Sequence, residues 1–283
     1  MKQEILGNTN EKISRIGFGA MRLPACDVEG KTVTDEEKSE ELIYKAYEKG
    51  INYFDTAPYY CDCMSEKLVG KALKPVRDRV KIATKLPWEH LTKKEEVRPW
   101  VEKSLKELDT DYIDFYQLWS LKAKGYYEFC IKCGIMDELA KLKNEGIIHH
   151  IGFTFHNEPD DIYEILKENE ILETMLVRNN IYYDHCKKQI DFAYDKGIGI
   201  VNMGAFCSFV PEPQEFRKSA SEKGYNPYEI ALKYLLQNRQ YTCILSSFNS
   251  IERLENTFEF LKNVRLNEEQ KQIVDLFLKD YNG

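Results

Sequence analysis

Short apolar runs alternate along this chain with longer segments whose apolar residues recur three and four positions apart. The runs are Ile16–Gly19, Tyr53–Asp55, Val80–Thr84, Ile113–Leu118, Ile151–Thr154, Met175–Asn179, Ile198–Met203 and Thr242–Leu245. Their length and spacing predict strands, and the amphipathic segments between them predict helices. Those helices are expected near 35–49, 65–73, 94–108, 135–145, 159–169, 187–196 and 227–238, with a last one near 267–280. Upstream, Gln3-Glu-Ile-Leu and Lys12-Ile-Ser-Arg-Ile-Gly flank Gly-Asn-Thr-Asn10, a hairpin running into the first strand. Thr34-Asp-Glu-Glu37 can cap a helix, and Gly50 and Gly197 stand where helices should stop. Eight strands alternating with eight helices, with no polar linker, predict an α/β fold: a (β/α)8 TIM barrel with an N-terminal β-hairpin, one domain over residues 1–283. An open doubly wound sheet is the alternative. Against it, Gly17-Phe-Gly19-Ala-Met-Arg places an arginine at the third glycine of a dinucleotide fingerprint.

Composition narrows the partners. The 283 residues are 43% hydrophobic and 31% charged, with a net charge of −7. That balance gives no reason to expect nucleic acid or an anionic membrane. No apolar run reaches the length of a bilayer span, and Met1-Lys-Gln-Glu-Ile-Leu-Gly lacks the apolar stretch of a signal peptide. The expectation is a cytoplasmic protein with a small-molecule substrate. Nothing in the pattern specifies an oligomeric state. The eight cysteines are then expected to be free thiols.

The candidate chemistry centres on Tyr60, five residues after Asp55 in Tyr53-Phe-Asp-Thr-Ala-Pro-Tyr-Tyr60, with Lys85 ending Val80-Lys-Ile-Ala-Thr-Lys85. A phenol with a reference pKa near 10 becomes a better proton donor beside an ammonium, and a carboxylate can fix that ammonium. Tyr60, Lys85 and Asp55 therefore form a candidate general-acid unit for carbonyl reduction.

These residues sit among further pieces: Gly17-Phe-Gly-Ala-Met-Arg-Leu-Pro24, Ser65-Glu-Lys-Leu-Val-Gly70, Asp111-Tyr-Ile-Asp-Phe-Tyr116, Ile151-Gly-Phe-Thr-Phe-His156 and Glu255-Asn256. In that order and spacing, over residues 16–256, the chain resembles the aldo-keto reductase family. The resemblance implies a (β/α)8 barrel that binds a nicotinamide cofactor in extended form at the strands' C-terminal ends. It assigns Asp55, Tyr60 and Lys85 to three of four catalytic positions. The fourth, a histidine in the family, falls on Trp119, whose indole donates one hydrogen bond but neither accepts nor titrates. Trp119 is expected to shape the pocket instead.

Cofactor contacts implied by the resemblance fall on Gly19, Met21, Asp55, Thr154, Asn180, Met203, Ser246, Ser247, Glu255 and Asn256. Met203 takes the place of an aromatic that stacks on nicotinamide, and Phe155 stands for a common asparagine beside Thr154. The slots that grip a 2′-phosphate in many relatives fall on Ser246 and Glu252, with Arg253 expected to point elsewhere. That arrangement weakly favours NADH over NADPH. The substrate pocket is expected to use Trp119, His156, Tyr182 and Phe206. Lys122, Lys124, Tyr126 and Tyr127 offer a further polar or anionic contact, although a solvated loop is the more ordinary reading of the lysines.

Under the barrel reading Cys26, Cys61, Cys63, Cys130, Cys133, Cys186 and Cys207 lie in loops that follow strands. Cys61, Cys63, Cys130 and Cys133 can in principle hold zinc or an iron–sulfur cluster. The more ordinary reading is that cysteines fill these loops as small apolar residues. His149-His150, on the opposite face, reads as structural. Three functions stay open. The first is hydride transfer between a nicotinamide cofactor and a small carbonyl or alcohol. The second is acid–base elimination or epimerisation on a sugar-like substrate. The third is a barrel that binds a nucleotide or a partner without catalysis.

Overall fold

The computed structural model describes residues 1–167, 171–181, 184–205 and 214–281. The expected hairpin is formed by β1 (Gln3–Ile5) and β2 (Lys12–Ser14), paired antiparallel. The chain then enters β3 (Ile16–Gly19), the first barrel strand. An unanticipated second hairpin follows, β4 (Ala25–Val28) with β5 (Lys31–Thr34), before α1 (Glu36–Glu48). Its short strands are mostly exposed and carry little apolar alternation, so the pattern that marks a barrel strand is missing.

The chain continues through β6 (Tyr53–Asp55), α2 (Ser65–Leu73), β7 (Lys81–Leu86), α3 (Val97–Leu108) and β8 (Ile113–Leu118). A helical insertion, α4 (Ala123–Gly125) running into a π-helical turn at Tyr126–Ile131, leads to α5 (Ile135–Asn144). The remaining elements are β9 (Ile148–Phe155), α6 (Asp161–Lys167), β10 (Thr174–Arg178), α7 (Lys187–Asp195), β11 (Gly199–Met203), α8 (Gln214–Glu222), α9 (Pro227–Leu236), β12 (Cys243–Ser247), α10 (Ile251–Phe260) and α11 (Glu268–Tyr281). Strands β3, β6, β7, β8, β9, β10, β11 and β12 pair in sequence order, all parallel, and β12 closes on β3. The fold is the expected (β/α)8 barrel.

One correction concerns the helix after the last barrel strand. That helix is α10, which the sequence reading passed over, and α11 is an additional C-terminal element. Among the described residues no helix is long and apolar enough to cross a membrane.

Period-two alternation sends one set of side chains into the barrel and the other against the helices. The inner set includes Tyr53, Ala83, Phe115, Leu176, Val201 and Cys243, and the N-terminal hairpin adds Leu6 and Ile13 beneath them. The hairpin fits because no side chains intervene. Gly7 has φ +52°, and a Cβ there would lie 2.3 Å from the Gly199 nitrogen. Gly197 has φ +78°, and a Cβ there would lie 2.0 Å from Asn8 Nδ2. The floor of the barrel is thus sealed, and the C-terminal ends of the strands are left for chemistry.

Candidate active site

Residues at those ends follow from the same alternation. Two positions above Tyr53 stands Asp55, two above Ala83 stands Lys85, and two above Leu176 stands Arg178. Lys85 Nζ donates to Asp55 Oδ1 at 2.7 Å and to the Thr56 carbonyl at 2.7 Å, and both side chains are sealed from bulk solvent. The same ammonium lies 4.7 Å from the centre of the Tyr60 ring. Tyr60 is carried on the turn between β6 and α2. Thr56 and Ser65, at the two ends of that turn, share a 2.7 Å hydroxyl contact, and Ser65 also bonds the Ala20 carbonyl at 2.9 Å. After Tyr60 the backbone winds left-handed for three residues, Cys61, Asp62 and Cys63, with φ of 52°, 53° and 67°. Such a conformation costs a non-glycine residue roughly 1–2 kcal/mol.

The electrostatics of the cluster differ in one respect from expectation. Burial pushes the Tyr60 phenol up, Lys85 pulls it down, Asp55 pushes it up again, and the net shift is above the ordinary tyrosine value. The lysine does not win over burial. A phenol so placed is fully protonated at neutral pH, the state a proton donor needs. Burial alone would lower Lys85, but the charges of Asp55 and Tyr60 hold it above the ordinary lysine value. Burial raises Asp55 against the pull of Lys85. The 2.7 Å contact fixes the pair as ammonium and carboxylate.

Asp55 and Tyr60 open onto a cleft of about 280 Å³ at the strand ends. Trp119, immediately after β8, forms one wall. It stacks on Tyr59 with ring centres 5.8 Å apart and meets Tyr60 edge-on at 5.6 Å. Its carbonyl accepts a 2.9 Å bond from Trp88 Nε1, and its nitrogen donates to the Leu86 carbonyl at 3.0 Å. His156 lies across the same cleft. Its ring is exposed toward the open space, yet the surrounding walls, then the charges of Arg178 and Lys85, lower its pKa to about 4. The imidazole is neutral at pH 7. Arg22, Arg178 and Arg253 also line the cleft, so cations outnumber the one carboxylate, which Lys85 already neutralises. The sequence reading passed over Arg22 and Arg178, although the alternation through Leu176 points Arg178 inward.

Of the expected cofactor residues, Gly19, Met21, Asp55, Met203, Ser246 and Ser247 meet in this cleft. Thr154 does not line it, and its hydroxyl accepts a 2.7 Å bond from the Ser120 nitrogen. Asn180 donates to the Gly204 carbonyl at 3.0 Å and lines a separate hollow. Glu255 is paired with Lys49, and Asn256 lines an adjoining cavity together with Glu252. Arg253, expected to point away, faces the cleft. Larger hollows of about 470 and 800 Å³ elsewhere contain none of the Tyr60 cluster. Tyr182 and Phe206, expected in the substrate pocket, and Cys207 lie outside the described residues. The four thiols considered for a metal are not gathered. Among the described residues no group of three or more histidine, cysteine, aspartate or glutamate side chains can hold a metal ion. Cys130 is core, its thiol pushed up to about 12 by burial. Tyr126 is core as well, and the Tyr127 hydroxyl bonds the Glu164 carbonyl on α6 at 2.5 Å, so the insertion braces α6.

Three comparisons with known proteins show what the chain is similar to. A family model described as the Aldo/keto reductase family matches residues 15–279. The chain is 27% identical to an L-galactose dehydrogenase of Arabidopsis thaliana, covering 88% of this chain and 85% of that protein. It is 25% identical to a pyridoxine 4-dehydrogenase of Escherichia coli, covering 94% and 95%. Among solved structures, an aldo-keto reductase from Bacillus halodurans in its holo form superposes with a TM-score of 0.81 at 26% identity, over 97% of this chain and 95% of that one.

Proposed function

The chain belongs to the aldo/keto reductase family, and from that premise we propose that it is an oxidoreductase moving hydride between NADH or NADPH and a small carbonyl or alcohol. The observation that carries the proposal is the Asp55–Lys85–Tyr60 cluster opening onto one cleft at the barrel's C-terminal face. The residues present fit a dinucleotide. Gly19 lines the cleft with no side chain in the way, Ser246 and Ser247 offer hydroxyls, and Asp55 Oδ2 is a buried acceptor without a hydrogen-bond partner among the described residues. When bound, the cofactor supplies hydride to the carbonyl carbon. Tyr60 donates its phenolic proton to the carbonyl oxygen. Lys85 stabilises the phenolate left behind, and Asp55 keeps Lys85 charged and aimed. Trp119 and His156 wall the substrate, and neither relays the proton. The names of the two dehydrogenase relatives support a small-molecule substrate.

The test is Tyr60→Phe. Reduction should fall by about 10²–10⁴-fold, the usual worth of a positioned general acid. A fluorescence titration with NADH and NADPH, using Trp119 and the other tryptophans as reporters, should show binding nearly intact. Turnover retained in Tyr60→Phe would sink the assignment of the acid. Cofactor binding without turnover of any carbonyl by the unaltered protein would favour the non-catalytic barrel.

A further inference from the structure

The hollow of about 800 Å³ lies at the opposite end of the barrel from Tyr60, and hydride transfer makes no use of it. Barrel helices run back against the strands, so their C-termini meet at the floor. The hollow opens where three of them end. Lys49 caps α1, Leu236 closes α9 with Arg239 beyond it, and Phe258 in the last turn of α10 is followed by Leu261 and Lys262. The partial negative charge of helix C-termini explains why cations collect here. It does not explain the apolar side chains left open between them. Met1, Tyr194 and Val264 are 42%, 41% and 44% exposed, and all three line this one hollow beside the half-buried Leu236, Phe258 and Leu261. Arg15 holds the wall in shape. Its guanidinium pairs with Glu4 at 3.1 Å and donates to the Leu236 carbonyl at 2.6 Å and to the Tyr241 carbonyl, which ties the N-terminal hairpin to the end of α9.

The charge of the hollow is opposite to that of the molecule. The chain carries a net −7, yet among the described residues five cations and one carboxylate, Glu4, line this wall. Four of the cations have carboxylate partners: Lys2 and Arg15 share Glu4, Lys49 meets Glu255, and Lys262 meets Glu259. The exposed Arg239 side chain makes no ion pair with a described residue. Arg239 also gives the hollow a direction. With Gln237 it borders the neighbouring hollow of about 470 Å³, whose wall is mostly amide, hydroxyl and charged groups. Away from that border, Phe258, Leu261 and Val264 offer hydrocarbon. We infer that the floor hollow binds an amphipathic anion, a single long alkyl chain bearing a carboxylate. The chain lies against Tyr194, Phe258, Leu261 and Val264, and the carboxylate meets Arg239. The hollow is within the range of about 300–1,000 Å³ that small-molecule ligands fill, with an apolar lining and a few polar groups to fix orientation. An uncharged chain would cover Arg239 without giving it a partner, and a cationic one would face a wall of like charge. This site stands apart from the reductase reading, and either can fail alone.

The experiment is a calorimetric titration of the protein with dodecanoate, dodecyltrimethylammonium and acetate, each kept below its micelle concentration. Dodecanoate should bind one to one and at least about tenfold tighter than dodecyltrimethylammonium, as expected for a charge-assisted contact, and acetate should not bind measurably. Arg239→Glu and Val264→Asp should each weaken dodecanoate binding by at least about tenfold, the first at the head and the second along the chain. Both side chains are exposed, so folded variants are the expectation, and an unchanged melting temperature checks it. Saturating NADPH should leave dodecanoate affinity unchanged. Competition between the two would put the alkyl chain in the Tyr60 cleft and overturn the inference. The Arg239 variant locates the site even if no dinucleotide binds. Absence of dodecanoate binding, equal affinity for the two dodecyl ions, or full affinity in Arg239→Glu overturns it as well. Capture of the protein on phosphatidylglycerol vesicles without binding of free dodecanoate overturns it in favour of a membrane surface.

Discussion

Trp119 stands in a catalytic slot without catalytic chemistry, and its surroundings say what it does instead. It lies edge-on to Tyr60, stacks on Tyr59 and is held through its own backbone by Trp88 and Leu86. That packing positions the phenol. Trp119→Phe, which keeps an aromatic wall, should leave kcat within a few-fold. Trp119→Ala, which removes it, should lower kcat by on the order of 10²-fold, the usual result of misplacing a reacting group by about an ångström. A loss in the Phe variant as large as in the Ala variant would show that the indole N–H, absent from both, matters more than the wall. The slot was legible because motifs on either side fix the register. Arg253 was not. Helical periodicity separates it from Glu252 by a wide angle, but in a first turn that abuts a cleft end-on, both neighbours reach the opening.

At the level of elements, α2 meets α3 through a backbone contact that admits no side chain. A Cβ on Gly70 would lie 2.3 Å from the Leu108 carbonyl oxygen, a rigid neighbour. Gly70→Ala should destabilise the protein by at least about 2 kcal/mol through overpacking, read as a lower urea midpoint with an unchanged slope. A neutral substitution would mean that α2 and α3 can separate without cost. Elements with strong apolar periodicity were the legible ones, and β3, β6, β8 and α2 match their expected bounds. Helix α10 escaped notice although Ile251, Leu254 and Phe258 are correctly spaced and Ser250 is a good cap. Its polar residues are many and its apolar stripe is narrow. The β4–β5 hairpin had less to offer, because its exposed strands are defined by pairing with each other and by the Glu29–Gly30 turn.

For the molecule as a whole, groups at both ends of the barrel tie its stability to acid. On the floor, burial would raise Glu173, but hydrogen bonds and charge from His150 and Lys143 hold it below the ordinary carboxylate value. His149, stacked on Tyr112, is lowered by burial against the pull of Asp114. In both cases the unfolded chain takes up the proton at a higher pH than the folded one. Stability should therefore be full above about pH 6.5, decline as His149 and His156 protonate in the unfolded state, and decline again below about 4.5 through Glu173. Urea midpoints measured from pH 7 to pH 4 check this, and Glu173→Gln should remove the lower part. A midpoint flat to pH 4 would contradict the lowering of both histidines in the folded chain. The barrel itself was legible because one βα pattern repeats around it, each unit reinforcing the reading of the next. The sealed floor has a consequence for biosynthesis. Leu6 and Gly7 lie against Gly197 and Gly199, made roughly 190 residues later. At about 5–20 residues per second the ribosome takes on the order of 10–40 s to supply them. During that interval the N-terminal hairpin is an apolar plug without its socket, the segment for which a nascent-chain chaperone has most to cover.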